Sequence, residues 1–128
     1  MNLLLDTHIF LWFISGDARL PILFQKEIQE PGNNVFLSVA SIWEIIIKYN
    51  LGKLPLPQSP EIYIPRRWRI HRIKSLPITE ASLKNLVSLP DLHRDPFDRI
   101  LISQALSGNL TIVTVDPAIK NYSVPVLK

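Results

Sequence analysis

The chain has 128 residues, 47% of them apolar and 20% charged, with 14 Lys and Arg against 11 Asp and Glu for a formal charge of +3. That length and balance fit one domain of ordinary size with a real core, and they exclude global disorder. With Gly 4 and Pro 11 in no three-residue period, Cys 0 and no internal repeat, a collagen-like chain, a disulfide scaffold, a thiolate metal site, a cysteine nucleophile and a solenoid are excluded together.

Residues 2–5 form a short apolar run that ends at Asp6 and reads as a buried strand. The apolar stretch at 9–14 is too short to span a membrane and has no basic region before it, so the expectation is a cytoplasmic protein without membrane contact. Residues 9–15 read as a short helix closed by Gly16, and Pro21 suits the first turn of a second helix reaching residue 30. Pro31-Gly32-Asn33-Asn34 is a turn, with a strand at 35–37 after it. Ser38 is a candidate N-cap for a helix through Asn50, and Gly52 is placed to stop it. Four prolines between 54 and 65 predict a stiff surface connection, with a turn or two of helix over 61–69.

Residues 70–76 read as a third strand, Thr79 as the cap of a helix to residue 89, and 90–94 as loop. Pro96 opens a strongly patterned helix to Ser107, ended by Gly108 and Asn109. The β-branched run at 110–115 ends at another acid, Asp116, and a final short strand is expected at 124–127. Near-continuous apolar strands alternating with helices predict a central parallel sheet covered on both faces, a three-layer α/β/α sandwich.

In such a sheet functional groups gather beyond the carboxyl ends of the strands, and Asp6 and Asp116 both stand there. Glu44 sits in the apolar stretch Ile42-Trp43-Glu44-Ile45-Ile46-Ile47, either ion-paired with Lys48 one turn on or facing a pocket. Asp95 precedes Pro96 as an N-cap with Arg99 in reach as an ion-pair partner, and Asp98 falls where an acid reaches back in a capping box. Asp98 also shares its face with Leu101, Ile102 and Ala105, which makes it the inward carboxylate. Four acids drawn into one pocket cannot all stay ionised without a counterion. An all-oxygen site points to Mg²⁺ or Mn²⁺, and to phosphodiester hydrolysis as the chemistry it supports.

With those four acids set aside, 14 basic residues stand against seven acids, an excess that suits a phosphate-backbone substrate. Arg66, Arg67, Arg69 and Arg72 crowd one short segment, as phosphate contacts or as a solvated face. Trp12, Tyr63 and Trp68 are candidates for either an interface or the core. His8 is read as a hydrogen-bonded structural residue rather than a base.

Four ordered blocks are also similar to a known family. They are Leu4-Leu5-Asp6-Thr7-His8 with Leu11-Trp12; Ser38 and Ser41 to Ile45 with Leu51 to Leu54; Asp95-Pro96-Phe97-Asp98-Arg99 with Leu101-Ile102; and Thr114-Val115-Asp116. Together they resemble a PIN domain, and within it the VapC-type toxin ribonucleases of type II toxin–antitoxin pairs. The resemblance runs from Asn2 to Asp116 and leaves 55–75 unmatched. It implies a metal-dependent endoribonuclease with Asp6, Glu44, Asp98 and Asp116 as catalytic acids. Asp6, Asp98 and Asp116 would hold the metal, Asp116 directly or through water, with Thr7, Asp95 and Thr114 in support. It also implies an RNA substrate, a small antitoxin that blocks the pocket, and a homodimer.

Two other classes remain as rivals. A receiver-like signalling domain has similar layering and an acidic Mg²⁺ site, but needs an acidic doublet after the first strand, where Asp6 stands alone. A binding or regulatory module would use the acids only as caps and ion-pair partners.

Overall fold

A computed structural model describes residues 1–128. Four parallel strands form one sheet in the order β3-β2-β1-β4: β1 (Asn2–Leu5), β2 (Asn34–Ser38), β3 (Lys74–Leu76) and β4 (Thr111–Val113). Leu3 stands in register with Val35 and Thr111, and Leu4 with Phe36 and Ile112. The alternation of strand side chains between faces divides the core in two. Leu3, Leu5, Val35, Leu37 and Val113 point to one side, against Phe10, Phe13, Phe24, Ile45 and Ile64. Leu4 and Ile112 point to the other, against Leu101, Ile102, Ala105 and Ile119. The expected three-layer sandwich follows from that division.

The first layer carries α1 (Thr7–Ser15), α2 (Ile22–Gln29), α3 (Val39–Asn50) and α4 (Pro60–His71). The second carries α6 (Pro96–Gly108) and α7 (Pro117–Lys120), with α5 (Glu80–Leu83) beside α6. Caps fix where the helices begin and end. Gly16 closes α1 at φ 67°, a left-handed conformation that glycine takes without steric cost. The Ser38 hydroxyl accepts from the Ala40 N–H at the start of α3, and Asp95 accepts from the N–H groups of Phe97 and Asp98 at the start of α6. No helix is long and apolar enough to cross a membrane.

Several boundaries differ from the sequence expectation, each for a local reason. The proline-rich connection gives way to a full 12-residue helix, α4, which continues through Pro65. Pro60 sits in its first turn, and burial of Tyr63 and Ile64 outweighs the single hydrogen bond that Pro65 removes. The strand expected at 70–76 therefore shrinks to Lys74–Leu76, after Arg72 ends α4 in the left-handed region. The helix expected from Thr79 to 89 tightens after Leu83 into a 3₁₀ turn, Lys84–Val87, where Asn85 and Ser88 side chains bond to backbone carbonyls. Pro21 stands at the N-cap of α2 rather than within its first turn, and α6 runs through Gly108 to end at Asn109. The strand expected at 110–115 keeps only its middle, since Leu110 closes the end of α6 and Thr114 leaves the ladder. At 124–127 only one bridge forms, Ile112 to Val126, because Pro125 has no N–H to extend it.

Gln104, buried on α6, ties together the ends of two strands. Its Oε1 accepts from the Ser38 hydroxyl at 2.6 Å and its Nε2 donates to the Pro77 carbonyl at 3.1 Å. Gln104→Leu removes the acceptor of the fully buried Ser38 hydroxyl and the donor to the Pro77 carbonyl. Urea denaturation should show a loss of about 2 kcal/mol in unfolding free energy.

Candidate active site

The chain builds β1, β2 and β3 outward in one direction and then returns to set β4 against the other edge of β1. Loops leaving β1 and β4 part to opposite sides there, which opens a crevice at the carboxyl ends of that strand pair. Asp6 and Asp116 flank that crevice. The Asp6 N–H donates to the Val113 carbonyl at 3.0 Å, and the Thr114 hydroxyl donates to Asp6 Oδ2 at 2.8 Å. The Asp116 N–H donates back to Thr114 Oγ1 at 3.0 Å, while Asp116 Oδ1 caps α7 by accepting from the Ala118 N–H. One buried hydroxyl thus fixes both strand ends.

Glu44 comes from α3, whose buried face also presents Ala40, Ser41 and Ile45. Both its oxygens are engaged. The Thr7 hydroxyl lies 2.8 Å from Glu44 Oε1 and 2.9 Å from Ser41 Oγ, and Lys48 Nζ donates to Glu44 Oε2 at 2.7 Å. The two readings left open for Glu44 are thus both present: it is paired with Lys48, and it faces Thr7 and the other acids. Trp43, next to it, meets Phe97 edge-on at 5.3 Å and holds α3 to the start of α6.

Asp98 is buried at the first turn of α6, where it feels the charges of Asp6, Asp95 and Glu44. Burial first, and then those like charges, push its carboxyl up to about 6, against the opposing hydrogen bond from His93. Burial likewise raises Asp6, with Glu44 adding to the rise and the Thr114 hydrogen bond and His8 opposing it. Asp98 does not reach back to the N-cap backbone as a capping box would. It turns to His93, whose Nε2 lies 2.8 Å from its Oδ2.

His93, Asp98 and Asp116 bring one donor atom each within 4.8 Å of one another. His93 drew no attention in the sequence because it lies in a loop with no periodicity. Its only signal is a position five residues before an acid across a proline-opened helix. Arg99 does not pair with Asp95 either. Its guanidinium donates to the carbonyl of Pro90 at 2.9 Å and to Tyr122 Oη at 3.0 Å, which leaves Asp95 wholly to capping.

Asp6, Glu44 and Asp98 are buried and Asp116 is half-buried, and the clefts on the molecule are lined by other residues. His8 is exposed, with its ring tilted against Trp12, rather than hydrogen-bonded into the structure. Tyr63 belongs to the core, and Trp12 and Trp68 pack half-buried against it. The four arginines do not join the acids. Arg67 lies over the Tyr63 ring at 5.2 Å, while Arg72 sits beside Asn33 and Val35 where β2 begins, at the opposite end of the strands from Asp6 and Asp116.

A chain of this topology, with acids from β1, α3, α6 and the end of β4 facing one rim, belongs to the PIN-domain family, whose pattern matches residues 3–125. A 42-residue stretch is 50% identical to Ribonuclease VapC16 of Mycobacterium tuberculosis (strain ATCC 25618 / H37Rv); it covers 33% of this chain and only 30% of that protein. Among solved structures, VapBC2 from Rickettsia felis, bound to a DNA fragment from its promoter, matches at TM-score 0.74 and 18% identity over 100% of this chain and 98% of that one. DNA-bound VapBC from Salmonella typhimurium matches at TM-score 0.67 and 17% identity, over 100% and 97%. At such identities these two likenesses concern the fold.

The donor set fits a divalent cation. Hard carboxylate oxygens converge, and burial and neighbouring acids raise the Asp98 carboxyl. In cation-free protein an ionised Asp98 opposes folding, because the folded state holds its proton more tightly than the unfolded chain does. That penalty is absent below about pH 4 and complete above about pH 6. Asp98→Asn should therefore raise the melting temperature by a few degrees at pH 7.5, and the gain should vanish at pH 4. Thermal denaturation in a chelator at both pH values checks this.

Proposed function

We propose that this chain is a Mg²⁺- or Mn²⁺-dependent endoribonuclease, the toxin of a type II toxin–antitoxin pair, acting on cytoplasmic RNA. The observation that carries the proposal is the convergence of Asp6, Glu44 and Asp98, coupled by their charges, with Asp116 beside Asp98 at the β1/β4 crevice. In this reading Asp6, Asp98 and Asp116 hold the cation. When bound, the cation offsets their repulsion and supplies Lewis acidity to water and to phosphoryl oxygens.

The protein's own groups do the rest. Thr114 and Thr7 fix the orientation of Asp6 and Glu44 before any substrate arrives. Lys48 holds Glu44 Oε2 in an ion pair, and in this reading the Glu44 carboxylate takes the proton that water gives up as it attacks phosphorus and the P–O bond to the leaving ribose oxygen breaks.

VapC16 is named a ribonuclease, and the fold neighbours are VapBC complexes. These likenesses support an RNA substrate, an antitoxin partner and, with exposed Ile22, Leu23, Ile62 and Ile70 offering apolar surface, a homodimer. Asp6→Asn keeps size and removes charge. Mg²⁺- or Mn²⁺-dependent cleavage of RNA should fall to background in this variant without loss of melting temperature, and growth arrest on expressing the chain alone should be lost with it. Cleavage that survives Asp6→Asn sinks the proposal and returns the acids to a structural role.

Arg66 and Arg69 on α4 and Arg72 at its end are exposed and Arg67 is half-buried, so their proposed role is to hold the RNA backbone. Replacing all four by Ala should lower the slope of log affinity against log salt by about three to four units, measured by RNA titration at several salt concentrations. An unchanged slope makes them a solvated face.

A further inference from the structure

Arg99 and Tyr122 hold the 90–94 loop from two sides. The His93 N–H donates to Tyr122 Oη at 3.0 Å, and Arg99 donates to the Pro90 carbonyl and to Tyr122 Oη. This clamp acts on the backbone, so the imidazole reaches the acids without depending on its own hydrogen bond for its place. Its Nε2 is 2.8 Å from Asp98 Oδ2, and both lie within 4.8 Å of an Asp116 oxygen. Neighbouring ligands of an octahedral cation, each about 2.1 Å from it, lie about 3 Å apart, and opposite ones about 4.2 Å. The three donors stand within about half an ångström of that spacing, close enough for small side-chain movements to bring them round one ion. They include a nitrogen, which favours Mn²⁺, Co²⁺ or Zn²⁺ over Mg²⁺.

We propose that His93 is itself a ligand, its Nε2 joining Asp98 and Asp116 in a mixed nitrogen and oxygen site that selects a transition-metal cation. This rests on the metal-dependent reading of the acidic rim and adds to it the identity of the ion. In an alternative arrangement His93 only orients Asp98 from outside the coordination sphere. The two differ in whether a nitrogen is bonded to the metal.

Pulsed electron paramagnetic resonance of Mn²⁺ added to the purified full chain separates them. The expected result is a directly coordinated ¹⁴N signal that disappears in His93→Ala and persists in His8→Gln, with Mn²⁺ affinity by calorimetry falling about tenfold or more in His93→Ala. Should His93→Ala fail to fold by circular dichroism, ¹⁵N-histidine labelling of the unaltered chain, with His8→Gln and His71→Gln, assigns the nitrogen without it. Mn²⁺ bound with no nitrogen coupling, or coupling that survives His93→Ala, overturns His93 as a ligand and leaves the nuclease proposal standing. No Mn²⁺ binding at all overturns both.

Discussion

Mutual repulsion among carboxylates that the fold forces together governs the chemistry of this molecule. Asp6, Glu44 and Asp98 are each nine-tenths or more shielded from solvent, at 5%, 5% and 8% exposure, yet belong to a charged site. Burial raises Asp6 and Asp98, and each is raised further by its acidic neighbours. The fold concedes only partial relief, through the Thr114 hydroxyl on Asp6, Lys48 on Glu44 and His93 on Asp98. Glu44 has both oxygens engaged, while Asp6 and Asp98 each have one side-chain partner, and the charge left over is for something outside the chain to offset.

The scaffold can sustain that tension because the stabilising contacts lie elsewhere. Two apolar clusters, one on each face of the sheet, contain the leucines of β1 and the large side chains of α1, α4 and α6. The strand ends, where the acids emerge, are instead tied by polar links such as Ser38 to Gln104 and Asp6 to Val113. Rigid ends hold the carboxylates where repulsion would otherwise part them, and that preorganisation is what a hydrolytic site requires.

Much of this was legible in residue order. The apolar runs after Met1 and around Ile112 announced strands, and a lone acid after each placed Asp6 and Asp116 on a common edge. Ser38, Asp95 and Gly16 marked helix ends through their capping chemistry. What escaped was set by contacts between distant segments. Pro65 argued against α4 locally, and only the burial of Tyr63 and Ile64 against other elements overrides it. His93 gains meaning from Tyr122, 29 residues away, and the choice of Arg99 between Asp95 and Tyr122 is a tertiary one. The arginines of α4 looked like one patch in sequence, whereas Arg67 turns over the Tyr63 ring and Arg72 ends beside the start of β2.

The pairing of β1 with β4 has a consequence for how the protein is made. One edge of β1 is completed only by β4, so Asp6 meets Val113 and Thr114 only after more than one hundred further residues have been synthesised. Until then a nascent chain carries Asp6 without its hydroxyl partner and without Asp116 beside it. Whatever activity the assembled site possesses is withheld from any translation product that stops short of β4.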